Sequence, residues 1–123
     1  MNEKIFVSGS RYYNNKEVIK KELLKYKNDL IIVGDCYGVD YEVMKVCKEL
    51  NIKCIIFYVG NCRNNVGFKS IKVKGYNYVD KDIMMSKLCD KGIVFWNGNS
   101  KGSKYNIDRL KRMNKEVKII MDK

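Results

Sequence analysis

The sequence contains no histidine and a single tryptophan. Without imidazole, the commonest metal-binding side chain is missing. The five cysteines (Cys36, Cys47, Cys54, Cys62 and Cys89) show no CxxC spacing. Zinc sites draw on paired Cys or His ligands at short spacing, so no metal or other cofactor is expected. Long apolar runs are also absent. None approaches the roughly 20 residues that a membrane helix requires. The apolar stretch Ile5-Phe6-Val7 is too short for a secretion signal and runs at once into Ser8-Gly9-Ser10-Arg11. No internal repeat or low-complexity linker divides the 123 residues, so a single domain over 1–123 is expected.

Hydrophobic residues make up 46% of the chain, enough to build a core. Cys47, Cys54 and Cys89 sit among apolar neighbours and read as buried free thiols. That usage suits a reducing compartment and implies a cytoplasmic protein. The 25 basic side chains outnumber the 14 acidic ones, for a formal charge of +11. A basic balance favours anionic partners: nucleotides, nucleic acid or an acidic surface. Much of it is lysine on the polar faces of helices, a solvated surface that assists the binding of a small anion.

Two hydrophobic periods alternate along the chain. Ile5-Phe6-Val7 reads as a buried strand. Asn15 to Tyr26 places Val18, Ile19, Leu23 and Tyr26 at helical spacing, with Asn14 and Glu17 as a capping pair. Leu30-Ile31-Ile32-Val33 is a continuous apolar run, as a strand covered on both faces requires. Val39, Val43, Val46, Cys47 and Leu50 form a second helical stripe, and Lys53 to Tyr58 a third strand. Residues 59–79 carry no long period and read as an irregular loop, with room for a short strand around Lys69 to Val73. Asp80 to Cys89 is helical, Gly92 to Trp96 a fourth strand, Ser103 to Asn114 a helix and Val117 to Met121 a fifth strand. Such alternation predicts an α/β fold, with a five-stranded, mostly parallel sheet between two helix layers.

Ligands of such sheets bind at the C-terminal strand ends, where the strand order reverses. Four segments meet that condition. Ser8-Gly9-Ser10-Arg11 leaves the first strand, and its small residues let the backbone approach a phosphate that Arg11 can hold. Gly34-Asp35-Cys36-Tyr37-Gly38-Val39-Asp40 joins the second strand to a helix. Asp40 there suits either a helix cap or a ligand contact, and Asp35 either a ribose hydroxyl or a pair with Arg11. Tyr76 to Met85 joins Lys81, a candidate phosphate contact, with Asp82 at a helix start and with Tyr76 and Tyr78 as candidates to stack on a base. Trp96-Asn97-Gly98-Asn99-Ser100-Lys101-Gly102-Ser103 is the most informative. It is a Gly/Ser/Asn loop feeding a helix N-terminus, a ready phosphate site with Lys101 inside it. The GK[ST] order of a Walker A loop is absent.

The segments IFVSGSR, IIVGDCYGVDYEVMKVCKEL, KDIMMSKLCD and GIVFWNGNSKGSKYNI occur in this order from about Lys4 to Met121. Together they resemble the SLOG superfamily. This Rossmann-like group includes the Smf/DprA proteins, the LOG phosphoribohydrolases and the small stand-alone YspA-like proteins. The resemblance implies a pocket for nucleotides or ADP-ribose-like molecules. Ser8, Gly9, Ser10 and Arg11 would form one wall. Gly34, Gly38 and Asp40 would make the floor, and Lys81, Asp82 and Met85 the side. Ser100, Gly102 and Ser103 would take a phosphate, and Asp35, Val39, Asn97, Gly98 and Lys101 are further candidate ligand contacts.

The LOG enzymes carry P-G-G-x-G-T-x-x-E, whose Glu acts at the glycosidic bond. Setting Gly102-Ser103 on its Gly-Thr places Asn106 at that Glu. An amide does not serve as a carboxylate base. Asp108, about 200° further round the helix, points elsewhere. The resemblance therefore implies a binding module that senses or sequesters a nucleotide-derived signal, as SLOG domains do in anti-phage systems. Two alternatives stay open. One is a nucleotide N-glycosidase using Asp35, Asp40 or Asp82. The other is single-stranded nucleic-acid binding, with a steep salt dependence. Exposed aromatics in 57–78 would suit pairing into a homodimer or higher oligomer.

Overall fold

The computed structural model describes residues 2–13 and 15–122. Strands and helices follow in the order β1 (Lys4–Gly9), α1 (Lys16–Leu23), β2 (Leu30–Val33), α2 (Val39–Leu50), β3 (Cys54–Tyr58), β4 (Lys69–Lys72), α3 (Tyr78–Leu88), β5 (Lys91–Trp96), α4 (Lys101–Arg112) and β6 (Glu116–Met121). A 3₁₀ turn, Leu24–Tyr26, ends the first helix and takes in the last residues expected to be α-helical. The cap of α1 is Asn15, whose side chain accepts from the Val18 N–H. The expected cap Asn14 lies outside the described residues.

Among the described residues the strands form one sheet in the order β4-β3-β2-β1-β5-β6, with every pair parallel. It has six strands, not the five expected. The sixth, β4, is the short stretch Lys-Ser-Ile-Lys. All four of its residues are exposed, so it carries no apolar period, and its backbone pairing to β3 alone makes it a strand. The link from β3 to β4 is a loop without a helix. Asn65 holds it: its side-chain oxygen accepts from the N–H groups of Gly67 and Phe68, and its amide donates to the Phe68 carbonyl.

Strand residues alternate between two cores, as the period of a strand requires. Ile5, Val7, Ile31 and Val33 pack under α1 and α2 with Ile19, Leu23, Val43 and Cys47. Phe6, Ile32 and Phe57 pack on the other face with Met85 of α3 and Leu110 of α4. The molecule is therefore a three-layer α/β domain, compatible with a Rossmann-like arrangement. Cys47, Cys54 and Cys89 are buried, and all five cysteines are free. No helix among the described residues is long and apolar enough to cross a membrane.

The chain builds outward from β1 through β2, β3 and β4. It then crosses back to place β5 and β6 on the other side. The strand order thus reverses between β1 and β5, and a crevice opens above their C-terminal ends.

Candidate ligand-binding cleft

The last residues of β1 form one wall of this crevice. Ser8 and Gly9 belong to the strand itself. A Cβ on Gly9 would run into the Phe95 carbonyl oxygen and the Val39 side chain, so only glycine lets β1, β5 and α2 close together here. Ser10 is buried and already bonded. Its N–H donates to the Phe95 carbonyl at 3.0 Å, and its Oγ accepts the Asn97 N–H at 3.1 Å. Ser10 therefore ties the first loop to the fourth. Arg11 is exposed beside it.

The β2–α2 turn crosses over Arg11. Gly38 precedes α2 with φ +79° and ψ −127°, a backbone that side-chain-bearing residues avoid. A Cβ there would strike the Arg11 backbone. Gly38→Ala is expected to cost about 1–3 kcal/mol from the backbone strain alone. A fall in the urea midpoint at unchanged slope measures it.

Asp40 is not the cap of α2; Gly38 holds that position, without a side-chain hydrogen bond. Asp40 instead sits in the first turn, 7% exposed, where its Oδ2 accepts the Cys36 N–H at 3.1 Å. Burial pushes its carboxyl up to about 7, the Asp82 charge adds to this and the Lys81 ammonium opposes it.

Lys81 projects from α3 into the same place and is 3% exposed. Its Nζ lies 3.2 Å from Asp82 Oδ1. Burial alone would lower its pKa, but the charges of Asp82 and Asp40 raise it, so the ammonium persists. The point where a Cβ of Gly34 would stand is 2.7 Å from Asp40 Oδ2 and 2.9 Å from Lys81 Nζ. Gly34 thus makes the space in which acid and base sit less than about 6 Å apart. It does not itself reach the cleft.

Asp35 departs from its expected role. It is fully buried and is held by Arg63, not by Arg11. Arg63 Nε and a terminal nitrogen donate to its two oxygens at 3.2 and 2.8 Å, and the Arg63 N–H adds a third bond at 2.9 Å. Burial works to raise the Asp35 pKa, but Arg63 outweighs it and holds the carboxyl below its ordinary range. The Arg63 guanidinium also lies over the Tyr78 ring at 4.1 Å from its centroid. The β3–β4 loop is thereby fastened to the cleft wall.

The fourth loop is bonded to itself. Asn97 Oδ1 accepts from the N–H groups of Asn99 and Ser100, the Trp96 indole donates to the Ser100 carbonyl, and Gly98 turns at φ +86°. Helix α4 begins at Lys101, two residues earlier than its apolar period suggests, so Lys101, Gly102 and Ser103 form its first turn. Ser100 caps it, accepting the Ser103 N–H. No acidic residue stands in that turn. Ser103 is 3% exposed, and among the described residues its Oγ has no hydrogen-bond partner. Among the same residues nothing lies within 4 Å of a Cβ built on Gly102.

These walls enclose a cleft of ≈ 520 Å³. Of the expected residues, Ser8, Gly9, Ser10, Arg11, Asp40, Lys81, Asp82, Asn97, Ser100, Gly102 and Ser103 line it. Gly34, Asp35, Gly38, Val39, Met85, Gly98 and Lys101 do not. Val39 and Met85 are core residues, and the Lys101 side chain is turned to solvent. Sequence reasoning left out Cys36, Tyr12, Tyr37, Val79 and Asn99, which line the cleft too. Only Tyr12 and Tyr37 carried a signal, as aromatics beside the glycine turns. Tyr78 lines the cleft, whereas Tyr76 is fully exposed.

Asn106 also lines the cleft, one turn along α4. Its amide donates to Ser8 Oγ at 3.4 Å and accepts from Arg109 at 2.6 Å. Asp108 pairs with Lys104 at 3.3 Å, away from the cleft. Among the described residues no cluster of Cys, Asp and Glu has the geometry to hold a metal ion. Comparison of the chain with protein-family models, with curated proteins and with solved structures gives no match.

Proposed function

We propose that the chain is a SLOG-type domain that binds a phosphate-containing nucleotide derivative in this cleft and senses or sequesters it without turnover. The carrying observation is the first turn of α4. Ser103 presents a buried hydroxyl that no group among the described residues satisfies, and a buried polar group without a partner is costly. It stands at a helix N-terminus free of acidic residues, where the helix dipole favours an anion. Arg11 on the facing wall adds a positive charge. The volume of ≈ 520 Å³ suits a nucleotide-sized ligand. The free thiols suit a reducing, cytoplasmic setting.

Absence of turnover is supported by Asn106. An amide bonded on both sides stands where a hydrolase of this type would need a carboxylate.

Calorimetry with AMP and ADP-ribose tests the reading. Saturable binding is expected, with the ligand recovered chemically unchanged. Ser103→Ala is expected to weaken it by about 10–100-fold, the value of a hydrogen bond to a charged group. Folding should survive, because the replaced hydroxyl has no partner among the described residues. No binding by either compound, or full affinity in the variant, would count against the proposal. Release of free base would point to hydrolysis instead.

A further inference from the structure

We infer that β6 is an association edge. It pairs antiparallel with β6 of a second copy of this chain, about a two-fold axis at Ile120, and joins the two sheets into one. The inference concerns the outer edge of the sheet and is independent of what the cleft binds.

The two edges of the sheet are built differently. At one, β4 is four residues long, and two of its exposed side chains are lysines, Lys69 and Lys72. Short length and lysine are common protections of an open edge. At the other, β6 runs six residues in unbroken register with β5, from Glu116 opposite Lys91 to Met121 opposite Trp96. It has no bulge, and the chain has no proline. Ile119 and Met121 are exposed. The one lysine of the strand, Lys118, is turned back onto its own chain, where its Nζ donates to both Glu22 oxygens at 3.0 and 2.8 Å. The β6 edge is therefore long, apolar toward its C-terminal end and little protected.

One hydrogen bond fixes which backbone groups point outward. The Asp122 N–H donates to the Trp96 carbonyl of β5 at 2.9 Å. Backbone groups alternate in direction along a strand, so those of Lys118 and Ile120 also face β5. Val117, Ile119 and Met121 then turn their N–H and C=O groups to the open edge. Among the described residues β6 neighbours β5 alone, so these groups have no strand to pair with.

The same edge of a second copy offers the matching set, and the side chains select the register. Opposite residues of an antiparallel pair share a face, so a two-fold axis normal to the sheet passes beside a residue. Centred on Lys118, it sets two lysines together. Centred on Ile119, it sets Glu116 against Asp122, acid on acid. Centred on Val117, it leaves Ile120 and Met121 without partners. Centred on Ile120, it sets Ile120 on Ile120, Ile119 on Met121 and Lys118 on Asp122. Apolar residues then meet apolar ones, and each charge meets its opposite. Ile119 and Met121, whose groups point outward, fall at the positions that exchange hydrogen bonds, and Ile120 falls at the close position between them. Antiparallel pairing carries the two clefts to opposite ends of the joined sheet and leaves both open.

Sedimentation equilibrium of the full chain tests the association, in about 0.5 M salt to screen the repulsion between two copies of charge +11. A monomer–dimer equilibrium is expected below about 1 mM. Amide hydrogen exchange locates the contact. The Ile119 and Met121 amides should slow by about tenfold where the dimer predominates. Asp122→Lys sets a like charge opposite Lys118 and is expected to weaken the dimer by about fivefold. A chain that stays monomeric to about 1 mM, or a dimer in which these two amides exchange at the monomer rate, would overturn the inference. An unchanged or tighter dimer in Asp122→Lys would overturn the axis at Ile120, since a lysine at 122 is favoured only where it faces Glu116. Hydrogen exchange needs no variant, so it decides the edge even if Asp122→Lys folds poorly.

Discussion

Replacing Arg63 with alanine is expected to destabilise the fold by about 3–5 kcal/mol at neutral pH, because it strands a buried carboxylate. Asp35 has no exposed surface, and Arg63 supplies three of its hydrogen bonds. The backbone N–H of residue 63 would remain, but the guanidinium charge would not. The sign of the pH effect follows. Asp35 is held below its ordinary value in the folded chain, so it contributes stability above that value and loses it as pH falls through the folded pKa. In Arg63→Ala that contribution is gone, and desolvation drives the carboxyl upward. The penalty should therefore shrink at acidic pH, where the stranded group takes a proton. Urea denaturation at pH 7 and pH 5 reads both effects.

The companion Asp35→Asn/Arg63→Ala is expected to regain part of the loss at neutral pH, since no charge is left buried. A double variant no more stable than the single one would show that Arg63 acts through packing. Loss of Arg63 also frees Tyr78 from its stacking contact. Ligand affinity should then fall even at temperatures where the variant stays folded.

The second large effect concerns Asp40. Its carboxyl is raised to about 7 from an ordinary 3.8. A raised carboxyl binds more protons folded than unfolded between those values. Stability therefore falls as pH rises through the window from about 4 to about 7, by roughly 4 kcal/mol in the limit of a full shift. The chain has no histidine, so no imidazole titrates across that window. The other shifted carboxyls, Asp35 and Glu22, are lowered, and their contributions change at more acidic pH.

Asp40→Asn is expected to flatten this slope and to be more stable than the parent at pH 7.5. The amide oxygen can still accept the Cys36 N–H. A slope that persists in the variant would place the titration elsewhere. Charge complementarity at the cleft would thus be maintained against stability, a common condition of binding sites.

Much of the architecture was legible because apolar periods report burial directly. A continuous run such as Leu30 to Val33 between turn residues suits a strand covered on both faces, and the stripes of α2 and α4 suit helices packed on a core. Strands β1, β2, β3, β5 and β6 were legible for that reason. The strand β4 was not counted, since an exposed edge strand leaves no apolar signature. The β3–β4 loop stayed unread for a related reason. Its role lies in Arg63, one of four arginines among 25 basic residues, and a single side chain has no period.

The candidate site divides along the same line. Its location at the β1, α2, α3 and α4 termini followed from sequence alone, because alternating strands and helices bring those loops to one edge. Which residues face the cleft did not follow. Gly34 and Gly38 looked like contacts for a ligand. One instead leaves room for Asp40 and Lys81, and the other lets two loops touch. Asp35 read as a contact for a ribose hydroxyl or for Arg11, and it pairs with Arg63, 28 residues along the chain. The sequence by itself determined the α/β alternation, the edge that carries the loops and the amide at position 106. Only the tertiary structure decided which charges are paired, which hydroxyls are left unsatisfied and how far Asp40 is shifted. Periodicity is a local property of the chain, whereas desolvation and ion pairing depend on groups that meet only when it folds.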